Sequence, residues 1–390
     1  MQFAQRMERL GTESAFEVMA KAKHLEAQGK SIIHLEIGQP DFPTAPHICD
    51  AAYQAMKDGY TGYGPAAGLP PLREAIAHYI STTRQIRVAP DNVIVMPGAK
   101  PVIFFTLLAL AEAGDEVIYP NPGFPIYESM INFVNATPVP LPLRESVGFR
   151  FQIDELKARV SDKTKLLILN SPQNPTGGAL TLEDLEAIAH LAHQHDFMIL
   201  ADEIYSRMLY EGEFHSIASL PNMMERTVIL DGYSKTYAMT GWRLGYAVAP
   251  LPLAQKLEQL MINSNSSTCS FTQMAGVTAL TSDQDFVTQM VNQFRQRRDA
   301  IVAGLNDIPG VSCLTPAGAF YAFPNVSQLS MSDRAIADLL LEKAGVAVLP
   351  GSSFGVYGTG YLRLSYANSL ENIQIALKRM KETLAALAEH

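Results

Sequence analysis

Six short apolar runs, rich in β-forming residues, alternate with helix-length segments between residues 92 and 249. The runs cover residues 93–96, 116–119, 166–169, 197–201, 227–230 and 246–249. Short strands separated by helices are typical of a mainly parallel sheet with helices on both faces. Ligands of such sheets bind beyond the strand ends, so the polar residues that follow these runs are the first candidates for a functional site.

The two ends of the chain have a different pattern. Residues 13–28 form a predicted helix, in which Ser14 and Glu17 have the spacing of a capping box. After about residue 285 a helix, short strands and turns replace the regular alternation. We therefore expect a large α/β domain, which contains the ligand site at the strand ends, and a smaller α+β domain. Their boundaries are 41–284 for the large domain and 1–40 with 285–390 for the small one.

The composition of the 390-residue chain is that of a globular protein, with 47% hydrophobic and 18% charged residues. Its net charge of -9 argues against nucleic acid and anionic membranes as partners. The apolar run over 102–111 is too short to span a bilayer, and the N-terminus lacks the pattern of a signal peptide. Cys49, Cys269 and Cys313 are too scattered for a disulfide framework. We expect a cytoplasmic protein.

Motifs for metals and nucleotides are missing from the sequence. His190, His193 and His195 are close together, but their spacing is not that of HExxH, and a solvated helix face explains them better. Neither a GxGxxG pattern nor a Walker loop occurs. We therefore expect no metal ion, dinucleotide or nucleoside triphosphate.

One lysine, Lys235, lies among small, hydroxylic and apolar residues in the segment 232–245. A desolvated lysine loses its proton readily and becomes a nucleophile for carbonyl groups. Arg243, eight positions later, is a fixed cation of the kind that binds phosphate. An amine for an aldehyde and a guanidinium for a phosphate together describe a site for pyridoxal phosphate.

The segment 232–245 closely resembles the lysine signature of the class I/II pyridoxal-phosphate aminotransferases, and further motifs follow in that family's order from Gly38 to Ala367. The resemblance implies fold type I, with a mainly parallel seven-stranded sheet flanked by helices. It also implies transamination between an L-amino acid and a 2-oxo acid by a ping-pong mechanism, in which Lys235 holds pyridoxal 5'-phosphate as an internal aldimine. It further implies a homodimer.

The resemblance places the cofactor phosphate at a turn between a strand and a helix, where backbone N–H groups favour an anion. The residues implied are Gly98, Ala99, Lys100, Ser234 and Arg243. Gly232 departs from the family, because many members have a phosphate-binding serine at this position. We therefore expect the other phosphate contacts to carry more of the binding.

Other matched residues surround the cofactor ring. Phe124 corresponds to an aromatic residue that stacks on the ring, and Asn174 and Tyr205 correspond to residues that bond its phenolic oxygen. Asp202 corresponds to a carboxylate that keeps the pyridine nitrogen protonated, so that the ring can accept electrons. Tyr63 corresponds to a tyrosine that reaches the phosphate of the neighbouring subunit, so that active sites are shared.

The substrate is expected at an arginine near the C-terminus. Arg363 lies in an apolar strand, where a buried guanidinium needs an anion, and the matching arginine binds the substrate α-carboxylate. Gly38 and Asn174 belong to the same subsite. Lys100 matches a lysine that some aspartate aminotransferases use for the distal carboxylate, which favours aspartate or glutamate with 2-oxoglutarate. Phe16 stands where those enzymes tend to have a small hydroxylic residue, which favours aromatic or alanine-type substrates instead.

Two alternatives stay open at this point. A lyase of the same fold would use the same cofactor for β-elimination. A sensor would use an aminotransferase-like domain only to bind the cofactor, but such regulators usually carry a DNA-binding module, for which only about 40 residues precede the fold's core. Lys235 and Arg363 are both present, which favours an enzyme.

Overall fold

The structure is a computed structural model that describes residues 1–388. The strands are β1 (Ile33–His34), β2 (Val93–Met96), β3 (Glu116–Asn121), β4 (Thr137–Pro142), β5 (Thr164–Asn170), β6 (Met198–Asp202), β7 (Thr227–Gly232), β8 (Gly245–Val248), β9 (Tyr321–Ala322), β10 (Val346–Ala347), β11 (Leu349–Pro350) and β12 (Leu362–Ser365). The α-helices are α1 (Ser14–Ala27), α2 (Pro46–Lys57), α3 (Pro70–Arg84), α4 (Lys100–Leu110), α5 (Ile126–Phe133), α6 (Ile153–Lys157), α7 (Leu182–His195), α8 (Leu251–Ser264), α9 (Ser270–Thr281), α10 (Asp285–Asn306), α11 (Asp333–Leu339) and α12 (Leu370–Ala388).

A seven-stranded sheet forms the centre of the molecule, in the order β2-β8-β7-β6-β5-β3-β4. The pairs β3–β4, β3–β5, β5–β6 and β6–β7 are parallel, whereas β8 is antiparallel to both β2 and β7. Both faces are covered, since Val93 and Val95 of β2 belong to one apolar cluster and Ile94 and Met96 to another. The predicted α/β fold with a mainly parallel seven-stranded sheet is confirmed.

The strand β4 had no counterpart among the six apolar runs of the sequence, because Pro138, Pro140 and Pro142 interrupt it. Alternate residues of a parallel strand direct their N–H groups to the same neighbour. Thr137 donates to the carbonyl oxygen of Asp115, just before β3, at 2.8 Å, and Leu143 donates to that of Asn121, the last residue of β3, at 2.9 Å. The prolines therefore occupy the positions that face away from β3, where no donor is lost.

The two ends of the chain meet outside this sheet. β1 pairs in parallel with β10, with Ile33 opposite Val346, and β11, β12 and β9 form a three-stranded antiparallel sheet. The domain boundaries given above stay a prediction, which the pairing of the chain ends supports. Within residues 1–388, no helix is both long and apolar enough to cross a bilayer.

The predicted capping box of the first helix is wrong. Helix α1 begins at Ser14, and its N-cap residue is Glu13, whose side chain forms no capping hydrogen bond. Ser14 is therefore already helical and cannot serve as the cap. The Glu13 carboxylate instead forms an ion pair with Lys100, the first residue of α4.

Candidate active site

A cavity of about 470 Å³ lies beyond the carboxyl ends of β5, β6 and β7. The ends of the strands form the floor of the cavity. Asn170 and Asp202 are the last residues of neighbouring strands, and Lys235 comes three residues after the end of β7. The residues predicted to contact cofactor or substrate line this cavity, apart from Gly98 and Tyr63. They are Gly38, Ala99, Lys100, Phe124, Asn174, Asp202, Tyr205, Ser234, Lys235, Arg243 and Arg363.

The amine of Lys235 has an unusual environment for a lysine. Its side chain is half-buried, and Nζ donates to the carbonyl oxygen of Gly38 at 2.5 Å. Burial, together with the nearby Arg363 guanidinium, lowers the pKa of the amine to about 8. Part of the Lys235 side chains are therefore neutral near physiological pH, and the neutral amine is the form that attacks a carbonyl carbon. Glycine suits position 38 because a side-chain carbon there would overlap the Tyr321 hydroxyl.

Asp202 is a buried carboxylate with two donors. Tyr127 Oη donates to Oδ2 at 2.6 Å, and the amide of Ile204 donates to Oδ1 at 3.3 Å. Asn170 Nδ2 fixes the backbone beside it by donating to the carbonyl oxygen of Asp202 at 3.1 Å. Burial raises the pKa of Asp202 to about 6, although both hydrogen bonds to the carboxylate oppose this rise. Asp202 can therefore stay anionic at neutral pH and pair with a protonated ring nitrogen.

Arg243 and the start of α4 form an anion-binding end of the cavity. Arg243 has a left-handed backbone (φ 54), and Nη1 donates to the carbonyl oxygen of Thr240 at 2.9 Å. A side-chain carbon at Gly98, whose φ is +100, would overlap Arg243 Nη2. Only glycine therefore lets the guanidinium lie against this turn. No side chain caps the start of α4, so its first amide groups can serve an anion.

Two more glycines hold the strands close behind this turn. Gly232 of β7 lies opposite Gly245 of β8, and a side-chain carbon on Gly232 would lie 3.0 Å from the Cα of Gly245. A side-chain carbon on Gly245 would lie 2.6 Å from the backbone nitrogen of Ala99. The glycine at 232 that departs from the family thus belongs to a tightly packed layer under the anion-binding turn.

Arg363 of β12 forms the opposite end of the cavity and is buried. Nη1 donates to Asn174 Oδ1 at 3.2 Å, and Nη2 donates to the carbonyl oxygen of Glu36. The guanidinium carbon lies over the rings of Tyr321 and Phe354, 4.7 and 5.0 Å from their centroids. Its Nε is buried without a partner among the described residues. An unsatisfied buried donor is costly, and a carboxylate ligand would satisfy it.

Aromatic residues define the remaining walls. The hydroxyls of Tyr205 and Tyr321 are 2.7 Å apart. Phe124 meets Tyr127 edge to face, with ring centroids 5.7 Å apart. The Lys100 amine lies 5.5 Å from the centroid of Phe124. These rings make the middle of the cavity suitable for a flat ligand, while its two ends are cationic.

The structure separates Tyr63 from the cavity of its own chain. Its side chain is 94% exposed and lies with residues 60–62 and 267–271 in a different hollow. Gly98 does not line the cavity either, although it contacts the Arg243 guanidinium that does. Phe16 lines the cavity with a side chain that is 56% exposed.

Among the lining residues that were not predicted from the sequence, four have side chains that form hydrogen bonds or an ion pair with predicted site residues: Asn170, Tyr127, Tyr321 and Glu13. Asn170 could have been found, because it directly follows the predicted strand 166–169 and begins the loop that contains Asn-Pro-Thr-Gly. Tyr127 ends the segment of the ring-stacking Phe124, which is a weaker signal. We see no local signal for Tyr321 or Glu13, since their roles come from the folding of distant segments onto the cavity.

A buried ionic network lies behind the cavity. Arg84 Nε donates to Glu203 at 2.9 Å, and Nη2 donates to Asp231 at 3.1 Å and to Ser206 at 2.9 Å. The arginine and both carboxylates are almost fully buried. Burial raises the pKa of Asp231 to about 7, although the Arg84 charge opposes this. Because Glu203 follows Asp202, the network fixes the backbone next to the cavity floor.

The charge of the cavity suits an anionic ligand. Four basic side chains line it against two acidic ones; they are Lys100, Lys235, Arg243, Arg363, Glu13 and Asp202. Among residues 1–388, no group of three or more His, Cys, Asp or Glu residues lies close enough to hold a metal ion. An amine with a lowered pKa, a buried carboxylate and a turn suited to an anion meet at the strand ends, and this arrangement fits an enzyme that uses pyridoxal 5'-phosphate.

Comparison with known proteins agrees with this class. The family described as "Aminotransferase class I and II" matches residues 30–380, and the chain belongs to this family. It is 40% identical to an aspartate aminotransferase of Pyrococcus abyssi, covering 91% of this chain and 92% of the relative. It is 39% identical to aromatic-amino-acid aminotransferase 2 of Thermococcus litoralis, covering 92% and 93%.

A solved structure gives the same result. The Thermus thermophilus aspartate aminotransferase with maleate superposes with a TM-score of 0.95 at 36% identity, covering 98% of this chain and 100% of that chain. The protein is therefore an aminotransferase, and members of its family use pyridoxal 5'-phosphate. The expectation of an enzyme is confirmed, and a sensor that only binds the cofactor is no longer a candidate.

Proposed function

We propose that this aminotransferase moves the amino group of L-aspartate or L-glutamate to a 2-oxo acid such as 2-oxoglutarate. The observation that carries the proposal is the Lys235 amine, which has a lowered pKa and faces the same cavity as the Arg363 guanidinium. Relatives named aspartate aminotransferase support the choice of substrate.

Different residues of the cavity would bind the phosphate, the ring nitrogen, the ring face and the phenolic oxygen of the cofactor. Arg243, Ser234 and the amide groups of Ala99 and Lys100 would hold the phosphate, because the amide of Gly98 already donates to the carbonyl oxygen of Met96 at 2.7 Å. Asp202 would hold the pyridine nitrogen. Phe124 would pack on the ring, while Asn174 and Tyr205 would bond its phenolic oxygen. When bound, pyridoxal phosphate supplies an aldehyde for amines and a protonated ring that withdraws electrons from the substrate Cα.

Lys235 would first bind the cofactor and, once the substrate amine displaces it, act as the general base. Its Nζ would take the proton from the substrate Cα and return a proton at the adjacent cofactor carbon. The pKa of about 8 suits both steps, because the amine then exchanges protons readily near neutral pH.

Arg363 would bind the α-carboxylate of either substrate, with Asn174 and the backbone of Gly38 beside it. Lys100 would bind the distal carboxylate of aspartate, glutamate or 2-oxoglutarate. Arg363 is the one buried guanidinium in the cavity lining, so the amino acid and the 2-oxo acid would occupy the same place in turn. A ping-pong mechanism follows from this shared subsite.

The proposal is tested first with Lys235→Ala. The wild-type protein should be yellow, and the variant should lose the visible band of the lysine-bound cofactor and several orders of magnitude of turnover. Initial rates with aspartate and 2-oxoglutarate should give parallel lines in double-reciprocal plots. Release of pyruvate from a β-substituted amino acid without any acceptor, at rates above those of transamination, would instead indicate β-elimination.

Lys100→Met tests the distal contact. The loss of a hydrogen bond to a charged group costs roughly 1.5–3 kcal/mol, so KM for aspartate and glutamate should rise by about one to two decades. KM for alanine and phenylalanine should stay within about twofold of the wild-type value. An equal rise for every donor would contradict the assignment of Lys100.

We also propose that the active unit is a homodimer with shared sites. The support is the exposed Tyr63, which has no contact with the cavity of its own chain, next to Tyr60 on the same surface. A Tyr63→Phe chain mixed with an Arg363→Ala chain should regain activity, because one site of the mixed dimer has both residues intact. Failure to regain activity after subunit exchange, or an active monomer in sedimentation, would contradict sharing. The cytoplasmic location stays a prediction.

A further inference from the structure

Lys100 already has a carboxylate partner within the cavity, the side chain of Glu13. All four cations that line the cavity have expected partners in cofactor or substrate, but only the Lys100 amine is also paired with a carboxylate of the cavity lining, that of Glu13. The Glu13 side chain is only 17% exposed and that of Lys100 is 45% exposed. An aminotransferase substrate with a distal carboxylate would meet this ion pair and not a free ammonium group.

Glu13 is held in this position by the segment before α1. The amide of Gly11 donates to Ser129 Oγ at 2.9 Å, and Arg9 Nε donates to the carbonyl oxygen of Asn132 at 2.9 Å. Both acceptors lie on α5, which also contains a residue of the cavity wall, Tyr127. The carboxylate of Glu13 therefore belongs to the lining of the cavity. It is near enough to the substrate end to raise the pKa of Lys235, against the lowering effect of burial.

We propose that Glu13 is a specificity-determining residue, an internal counter-ion that occupies Lys100 whenever the bound substrate has no distal carboxylate. The inference rests on the proposed function and extends it from one substrate class to two. With the ion pair closed, the subsite presents no unpaired charge to an aromatic or aliphatic side chain. With a dicarboxylate, the distal carboxylate must take the place of Glu13 on Lys100.

Displacement of Glu13 from Lys100 costs binding free energy, and only a dicarboxylate has to displace it. The incoming carboxylate must break the Glu13–Lys100 pair and then remain near a second negative charge. An uncharged side chain leaves the pair intact. Glu13 should therefore weaken the binding of dicarboxylates and leave the binding of substrates with uncharged side chains unchanged. The affinities of the enzyme for the two substrate classes then differ less than they would without Glu13.

The test uses the holoenzyme and two unreactive ligands of each class, succinate and maleate against 3-phenylpropionate and butyrate. Binding is measured by calorimetry and by the change in the cofactor's absorption. In Glu13→Gln, and in Glu13→Ala as a second variant, the Kd of succinate and maleate should fall roughly three- to tenfold. The Kd of the monocarboxylates should change by less than about twofold. Glu17→Gln removes an exposed carboxylate in the first turn of α1, four residues after Glu13, and should leave all four affinities unchanged.

Three outcomes would overturn the inference. The affinity for dicarboxylates could stay the same without Glu13, it could improve equally for both ligand classes, or Glu17→Gln could reproduce the effect. Lys100→Met separates this failure from that of the proposed function. If it weakens succinate binding while Glu13→Gln has no effect, only the role of Glu13 is wrong. If it leaves succinate binding unchanged, the distal contact itself is wrong, and the inference falls with it.

Discussion

Replacement of Tyr127 by phenylalanine should make retention of the cofactor depend on pH. The Tyr127 side chain is fully buried, and its hydroxyl donates to Asp202 Oδ2 at 2.6 Å. Phenylalanine keeps the ring and its edge-to-face contact with Phe124, so the substitution removes little besides this hydrogen bond. A hydrogen bond to a charged group contributes roughly 1.5–3 kcal/mol, which corresponds to about one to two pH units in the pKa of the acceptor.

The sign of the effect follows from the form that the hydroxyl stabilises. Tyr127 donates to the anionic carboxylate, so its loss raises the pKa of Asp202, which burial has already raised to about 6. In the variant, Asp202 should therefore be largely protonated at pH 7, and it should ionise only at higher pH. A protonated carboxyl group cannot pair with a protonated ring nitrogen, so the cofactor should bind more weakly at neutral pH and regain affinity in alkali.

The assay is a titration of apoprotein with pyridoxamine phosphate between about pH 6.5 and 9. This form carries no aldehyde, so the titration of Lys235 does not enter through a covalent bond. Trp242 is the only tryptophan of the chain and adjoins Arg243, which makes its fluorescence a local signal. The Kd of the variant should be roughly tenfold above wild type at pH 7, and the two should converge near pH 9.

Tyr210→Phe is the matched control. The Tyr210 hydroxyl is also buried and donates to the carbonyl oxygen of Ala319, but it does not line the cavity. Its loss should leave the Kd of pyridoxamine phosphate unchanged at every pH. If Tyr127→Phe weakened binding by the same factor from pH 6.5 to 9, the hydroxyl would not act through the pKa of Asp202, and this reasoning would be refuted.

Gly98→Ala should raise the Kd of pyridoxal phosphate for apoprotein roughly tenfold or more, because the added carbon would overlap the Arg243 guanidinium. The control is Gly114→Ala, at a glycine with a similar φ of +102 but open space around it, and this variant should leave the Kd unchanged. Arg84→Met should lower the free energy of unfolding in urea by about 3–5 kcal/mol, since it leaves buried carboxylates unpaired, whereas Arg73→Met on the same helix breaks a pair with an exposed aspartate and should cost about 1 kcal/mol. The Arg84→Met loss should grow between pH 6 and 8. The pKa of the network's aspartate, about 7 in the intact protein, rises further without the guanidinium, so the folded state loses stability up to a higher pH. A loss that is equal at both pH values would contradict this.

The parts of the site that could be predicted are those at the ends of strands. The strand runs are short, β-rich and bounded by polar residues, so Asp202 and Asn174 could be placed at one edge of a sheet before the structure was known. The signature around Lys235 and Arg243 is likewise local in sequence. All of these residues lie on segments whose shape is set mainly by neighbours in the chain.

The parts that could not be predicted depend on contacts between distant segments. Tyr127 is 75 residues from Asp202, Tyr321 is 116 residues from Tyr205, and Glu13 is 87 residues from its partner on α4. Nothing near any of these residues in the sequence indicates which group it will meet. The pKa of Asp202 has the same origin, since it follows from burial and from the Tyr127 donor on α5.

The prolines of β4 have a consequence for the molecule as a whole. An open sheet edge presents free N–H groups to which the strand of another molecule can add, and this is a common route to aggregation. Pro138, Pro140 and Pro142 occupy the positions of β4 that face away from β3, so this edge offers no donors from them. An incoming strand could not complete a ladder there. The prolines that make β4 difficult to predict from the sequence thus also prevent the strand of another molecule from adding to this edge of the sheet.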